Sequence, residues 1–101
     1  MGFVEAAKIE EVTPGKMKGV TINDKEILIT NIGGHYYAIG GKCTHAGGNL
    51  SKGQLNGNIV TCPRHGSKFD VTTGKNVGGP AQKDEPVYQL KMEGNTIIVN
   101  V

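Results

Sequence analysis

Apolar and polar residues alternate in short runs along most of this chain of 101 residues. The β-branched and apolar content of these runs predicts strands, at residues 3–6, 18–22, 26–32, 35–39, 59–61, 87–92 and 96–101. Between them stand turn-forming pairs and triplets: Asn23-Asp24, Gly33-Gly34, Asn56-Gly57-Asn58 and Gly94-Asn95. The pattern predicts antiparallel hairpins joined by tight turns.

No segment has the length and periodicity of a long helix. Residues 5–11 have the composition for a turn or two of helix, which Pro14 and Gly15 would end. In the last hairpin Tyr88, Leu90 and Met92 share one predicted face, and Met92 is expected to fill the core. We therefore expect an all-β fold, an antiparallel sandwich or barrel, in one domain covering residues 1–101.

Two glycine- and proline-rich loops interrupt the strand pattern, and each contains one cysteine and one histidine. The first loop has Cys43 and His45, and the second has Cys62 and His65. The chain has no other cysteine and only one other histidine, His35. His35 begins a predicted strand far from both loops, so we interpret it as a surface or packing residue. The four loop residues are candidate metal ligands.

Two metal centres accept such ligands. A single zinc ion binds cysteine and histidine tetrahedrally, although zinc sites usually pair like ligands in each loop. A two-iron, two-sulfide cluster takes two cysteines on one iron and two histidines on the other, which suits loops that each contain one of both. A disulfide between the cysteines would leave the neighbouring histidines unexplained.

Composition excludes several other classes. The formal charge of +2 and the scattered basic residues predict no nucleic-acid partner. No apolar run approaches the roughly 18 residues that span a bilayer, and the acidic N-terminal segment is unlike a signal peptide. We expect a cytoplasmic protein without a membrane partner. The Lys and Glu residues from position 83 to 93 are interpreted as a solvated face.

The loop sequences, C-T-H at 43–45 and C-P-R-H-G-S at 62–67, resemble the Rieske signature. The likeness extends over most of the chain and includes Gly78-Gly79-Pro80-Ala81. This resemblance implies a 2Fe-2S cluster, with one iron bound by Cys43 and Cys62 and the other by His45 and His65. It also implies that a small cluster-binding subdomain, at about 41–77, is inserted into a larger β base.

Departures from the signature indicate the kind of Rieske protein. High-potential members have a disulfide between two further cysteines, whose positions hold Gly48 and Arg64 here. They also have a tyrosine that bonds a ligand sulfur, where this chain has Phe69. Ser67 is retained as a hydrogen-bond donor to a bridging sulfide, and Pro80 resembles the proline that covers the cluster. Without the tyrosine donor, we expect a potential in the lower half of the roughly −150 to +300 mV Rieske range.

The resemblance implies a ferredoxin, a soluble one-electron carrier between a reductase and an oxygenase or another acceptor, rather than an enzyme. An oxygenase would need a further iron with two more histidines and a carboxylate, and only His35 remains, so no organic substrate is expected. Two alternatives stay open. One is a small electron-entry or regulatory subunit of a larger, nitrite-reductase-like oxidoreductase. The other is a zinc-stabilised interaction module.

Overall fold

The structure is a computed structural model that describes residues 2–44, 47–81 and 83–101. Eleven strands lie in this part of the chain: β1 (Phe3–Lys8), β2 (Met17–Ile22), β3 (Lys25–Ile32), β4 (His35–Gly40), β5 (Gln54–Asn56), β6 (Ile59–Thr61), β7 (Lys68–Asp70), β8 (Asn76–Gly78), β9 (Val87–Tyr88), β10 (Leu90–Glu93) and β11 (Thr96–Asn100). Short 3-10 helices span Ile9–Glu11 and Leu50–Lys52. In the described residues, no helix has the length and apolar character needed to cross a bilayer. The predicted all-β fold is confirmed.

Two antiparallel sheets form the base, with strand orders β1-β11-β10 and β2-β3-β4-β9. The predicted hairpin turns are confirmed. Asn23 and Asp24 have φ of 52° and 64° between β2 and β3, and a type I′ turn needs positive φ at both central residues. Short-range turn chemistry therefore sets the order of the central strands.

A third sheet, with order β5-β6-β7-β8, follows the first loop. The second loop connects β6 to β7, which pair antiparallel from Ile59↔Asp70 to Thr61↔Lys68. The second loop is thus the tip of a hairpin, while the first loop follows β4 of the base.

Strand β3 has a buried residue on both faces, because it lies between two hydrophobic cores. Ile27 and Ile29 pack into the core of the base, together with Ile97 and Val99 of β11. Leu28 points the other way, into a core that it shares with residues of the first loop and the third sheet. That second core contains Leu50, Val60, Phe69, Val71, Ala81 and both cysteines, Cys43 and Cys62. The loops therefore stand on a packed base.

The predicted strand at 87–92 is two strands in two different sheets. β9 pairs with β4, whereas β10 pairs with β11, and Gln89 separates them. Met92 is 45% exposed, so its assignment to the core was wrong. The helical composition at residues 5–11 produces only the 3-10 helix Ile9–Glu11, since β1 continues to Lys8 by pairing with β11.

Candidate metal centre

The first loop closes on itself through backbone hydrogen bonds around Cys43. The Cys43 N–H donates to the Gly48 carbonyl at 2.7 Å, and the Gly47 N–H donates to the Cys43 carbonyl at 2.9 Å. Gly47 has φ of 68°, in the left-handed region that favours glycine. The chain thus turns back directly after the predicted ligand pair.

The second loop repeats this arrangement around Cys62. The Cys62 N–H donates to the Ser67 carbonyl at 2.8 Å, and the Gly66 N–H donates to the Cys62 carbonyl at 3.2 Å. Gly66 has φ of 76°, matching Gly47. In both loops the cysteine is bonded to the residues four and five positions later, so the two cysteines hold equivalent positions.

The two loops face each other through Gly48 and Cys62. A Cβ built on Gly48 would lie 2.8 Å from the Cys62 Sγ and 3.2 Å from the Arg64 Cγ. Gly48 is in turn the residue whose carbonyl accepts from Cys43. The glycine therefore allows the sulfur of one loop to approach the backbone that carries the other cysteine. Gly48 and Arg64, which occupy the disulfide positions of high-potential members, are neighbours.

The burial of the candidate ligands fits a two-iron cluster. Cys43 and Cys62 are 3% and 2% exposed, and the two are not joined in a disulfide. His65 is exposed. Two buried thiols and an exposed imidazole would fit a cluster in which one iron takes the cysteines and the other takes the histidines. His45, the fourth predicted ligand, lies outside the described residues.

A covering segment, residues 79–86, crosses from the second loop to the first; Gln82 within it is outside the described residues. At its start Gly79 packs on Gly66 and Ser67, and the Ala81 N–H donates to the Ser67 Oγ at 3.1 Å. Pro80 is exposed between these contacts. The segment is thereby held against the second loop at the position where a covering proline was predicted.

Beyond Ala81 the covering segment is bonded to the first loop and to the last residue of β4, which precedes that loop. The Thr44 hydroxyl donates to the Lys83 carbonyl at 2.7 Å, and the Gly40 N–H donates to the Pro86 carbonyl at 2.9 Å. Thr44 stands between the predicted ligands Cys43 and His45. One segment therefore ties both ligand loops together.

Ser67 and Phe69 lie at the base of the second loop, and both are fully buried. The Ser67 oxygen accepts from Ala81, which leaves its own O–H directed elsewhere. Phe69 packs in the core that contains Cys43 and Cys62. Its ring brings no hydrogen-bond donor to that core.

Glu85 was missed at the sequence level. It was grouped with a solvated face, but it is 5% exposed, and burial raises the pKa of its carboxyl to about 7, opposed by a hydrogen bond from the Thr44 N–H. No local pattern marks it, because it stands among exposed charged residues. His35, in contrast, is exposed, as predicted. It is the first residue of β4, and the first loop follows the opposite end of that strand.

Comparison with known proteins gives a consistent result. The model of the Rieske [2Fe-2S] domain family matches residues 2–92. The ferredoxin component of the naphthalene 1,2-dioxygenase/salicylate 5-hydroxylase systems of Ralstonia sp. is 34% identical over 98% of this chain and 95% of its own length. The biphenyl dioxygenase ferredoxin subunit of Pseudomonas sp. (strain KKS102) is 35% identical over 99% of this chain and 93% of its own length.

Two solved structures resemble this one over nearly the whole length of the chain. The ferredoxin of carbazole 1,9a-dioxygenase from Nocardioides aromaticivorans IC177 superposes with a TM-score of 0.91 at 27% identity, covering 98% of this chain and 97% of that one. A chain in the complex of reduced oxygenase and oxidized ferredoxin of carbazole 1,9a-dioxygenase gives 0.90 at 26% identity, covering 96% and 91%. The chain therefore belongs to the Rieske [2Fe-2S] domain family, as a Rieske-type ferredoxin that carries electrons to redox partners.

Proposed function

We propose that this protein passes single electrons from a reductase to the oxygenase of an aromatic-ring dioxygenase system. The observation that supports this most directly is the near-complete coverage of relatives named as the ferredoxin component or ferredoxin subunit of such systems. The complex of a ferredoxin with its oxygenase among the similar structures supports the same class of acceptor. The same near-complete coverage favours a carrier over the alternative of an electron-entry subunit of a larger oxidoreductase.

The proposed ligands are Cys43 and Cys62, which would hold one iron, and His45 and His65, which would hold the other. Their support is the equivalent hydrogen bonding of the two loops and the burial of both thiols. When bound, the cluster would accept one electron and pass it on. The proposed cluster-binding subdomain is the one predicted at about 41–77.

Three neighbouring residues are proposed to tune the site. The Ser67 O–H would be available to donate to a sulfide of the bound cluster, while its oxygen accepts from Ala81. Phe69 adds no second donor, so the potential is expected in the lower half of the roughly −150 to +300 mV range. Pro80 and the covering segment limit access of water.

We also propose a cytoplasmic location. The residues at the disulfide positions of high-potential members are Gly48 and Arg64, and a fold without that disulfide suits a reducing compartment.

The test is electron paramagnetic resonance of the purified protein after dithionite reduction. A rhombic spectrum with an average g clearly below that of all-cysteine clusters is expected, and His65→Ala should abolish it. His35→Ala is the matched control, since His35 is exposed on the distant hairpin and the spectrum should be unchanged. A colourless protein with stoichiometric zinc would overturn the proposal in favour of an interaction module.

The acceptor is tested separately by mixing the reduced protein with a purified ring-hydroxylating oxygenase and following reoxidation by absorbance. Reoxidation by the oxygenase, and none by an unrelated redox enzyme, is expected. A protein that has the rhombic signal but is recovered only as a tight complex with a large reductase subunit would contradict the carrier role.

A further inference from the structure

The carboxyl group of Glu85 is enclosed where three segments meet. Its own backbone N–H donates to the Gly74 carbonyl at 2.7 Å, which fixes the residue beside the turn after β7. Its Oε1 lies against Gly40, at the end of β4, so closely that a Cβ there would collide with it. The side chain is therefore directed under the start of the first loop, and not toward solvent.

The carboxyl group meets the first loop at Thr44. The Thr44 N–H donates to it, while the Thr44 hydroxyl donates to the carbonyl of Lys83. Both hydrogen-bond donors of Thr44 are thus bonded to the covering segment. Because Thr44 connects the two predicted ligands of the first loop, a shift of its backbone would move both of them.

The second oxygen of the carboxyl group, Oε2, is buried without a hydrogen-bond partner among the described residues. A buried carboxylate with one satisfied oxygen is unfavourable unless it carries a proton. The raised pKa agrees with this geometry. Burying a carboxyl oxygen without a hydrogen-bond partner lowers the stability of the fold, so its presence here needs an explanation.

We propose that Glu85 is a positioning residue: its buried carboxyl group fixes the Thr44 backbone and holds the covering segment closed over the first ligand loop. The inference rests on the proposed function, since it concerns retention of the cluster. The neutral acid suits the enclosed site. The Thr44 N–H favours the ionised form, but the cost of burying the charge is larger, so ionisation at higher pH is expected to draw the carboxylate toward solvent and loosen the contact with the first loop.

Other charges around Glu85 do not offset its ionisation. Lys83 and Asp84 lie on its own segment, Lys42 on the first loop, Lys75 and Asp70 beside Gly74, and Glu26 on β3. Lys42 is paired with Glu26 at 3.7 Å, and among the described residues none of these groups forms an ion pair with Glu85.

The experiment measures the rate of cluster loss to an iron chelator, by absorbance, in the loaded protein. At about pH 6, Glu85→Ala is expected to lose the cluster about tenfold faster than wild type, because the Thr44 N–H loses its acceptor. Glu85→Gln keeps an oxygen acceptor and no charge, so its rate should stay within about twofold of wild type there. The matched control is Glu93→Gln, at an exposed glutamate of β10, which should match wild type.

The pH profile separates positioning from general stability. The ratio of the wild-type rate to the Glu85→Gln rate should rise from near 1 at about pH 6 to about threefold or more at about pH 8.5, as only the carboxyl group ionises. A rate of cluster loss in Glu85→Ala equal to that of wild type would overturn the positioning role. So would a wild-type to Glu85→Gln ratio that does not change with pH, together with equally fast cluster loss in both variants. If Glu85→Ala fails to fold, the Glu85→Gln profile alone decides. A wild-type protein without a cluster would instead refute the proposed function.

Discussion

Gly48 lies against the sulfur of Cys62, where a Cβ would come within 2.8 Å of Sγ. The contact joins the two loops, because Gly48 also accepts the hydrogen bond from Cys43. In high-potential members this position holds a disulfide cysteine, whereas here it holds the smallest residue. The two loops can thus pack this closely only because Gly48 has no side chain.

Gly48→Ala is therefore expected to reduce cluster content. The added methyl group meets Arg64, which can move aside, and the Cys62 sulfur, which cannot move while it binds iron. Iron per protein should fall at least about threefold, since overpacking typically costs about 1–3 kcal/mol. Gly2→Ala is the control, because nothing lies within 4 Å of a Cβ there. Full iron content in Gly48→Ala would contradict this account of the loop packing.

Thr44→Val is expected to destabilise the covering segment by about 1 kcal/mol, because it removes the hydrogen bond to the Lys83 carbonyl and keeps the side-chain shape. The measurement is the thermal unfolding midpoint of the loaded protein. Thr44→Ser retains the hydroxyl, so its unfolding midpoint should lie closer to that of wild type. Equal midpoints for the valine and serine variants would show that the hydroxyl contributes nothing.

Ser67→Ala is expected to lower the reduction potential by roughly 40–60 mV, which corresponds to about 1 kcal/mol for one electron. The proposed donor to sulfide is lost, and so is the acceptor of the Ala81 N–H. Ser51→Ala makes the same chemical change at a hydroxyl that bonds Asn49, so its potential should stay at the wild-type value. A redox titration gives both values, and an unchanged Ser67→Ala potential would remove Ser67 from the tuning residues.

The stability of the wild-type fold is expected to fall as pH rises from about 4.5 to above about 7. Over this window an unfolded chain has already released the Glu85 proton, whereas the folded protein retains it, because the folded pKa is raised to about 7. Stability is therefore lost with rising pH. The loss attributable to Glu85 should be on the order of 1–2 kcal/mol.

This pH effect is measured as the difference in urea midpoint between wild type and Glu85→Gln across the same window. The urea midpoint of Glu85→Gln should rise relative to that of wild type as pH rises, because the glutamine has no proton to lose. Parallel profiles for the two proteins would mean that Glu85 ionises normally in the fold.

Much of the fold and part of the site follow from local sequence. The turns Asn23-Asp24 and Gly33-Gly34 were predicted because a few residues determine whether the backbone can reverse. The four candidate ligands were predicted from their residue types and spacing, which are local properties of the sequence. Of these, the structure describes Cys43, Cys62 and His65, and it brings the two loops together.

Tertiary structure decided what depends on partners distant in the chain. The run at 87–92 divides between sheets because β9 meets β4 and β10 meets β11, and a period-two pattern does not reveal which strand lies alongside. Glu85 is buried because Gly40 and Thr44, about forty positions earlier, enclose it. The sequence by itself determined the strands, the turns and the metal-binding residue types, which are local properties. Burial and close approach are set by long-range packing, and only the folded chain shows them.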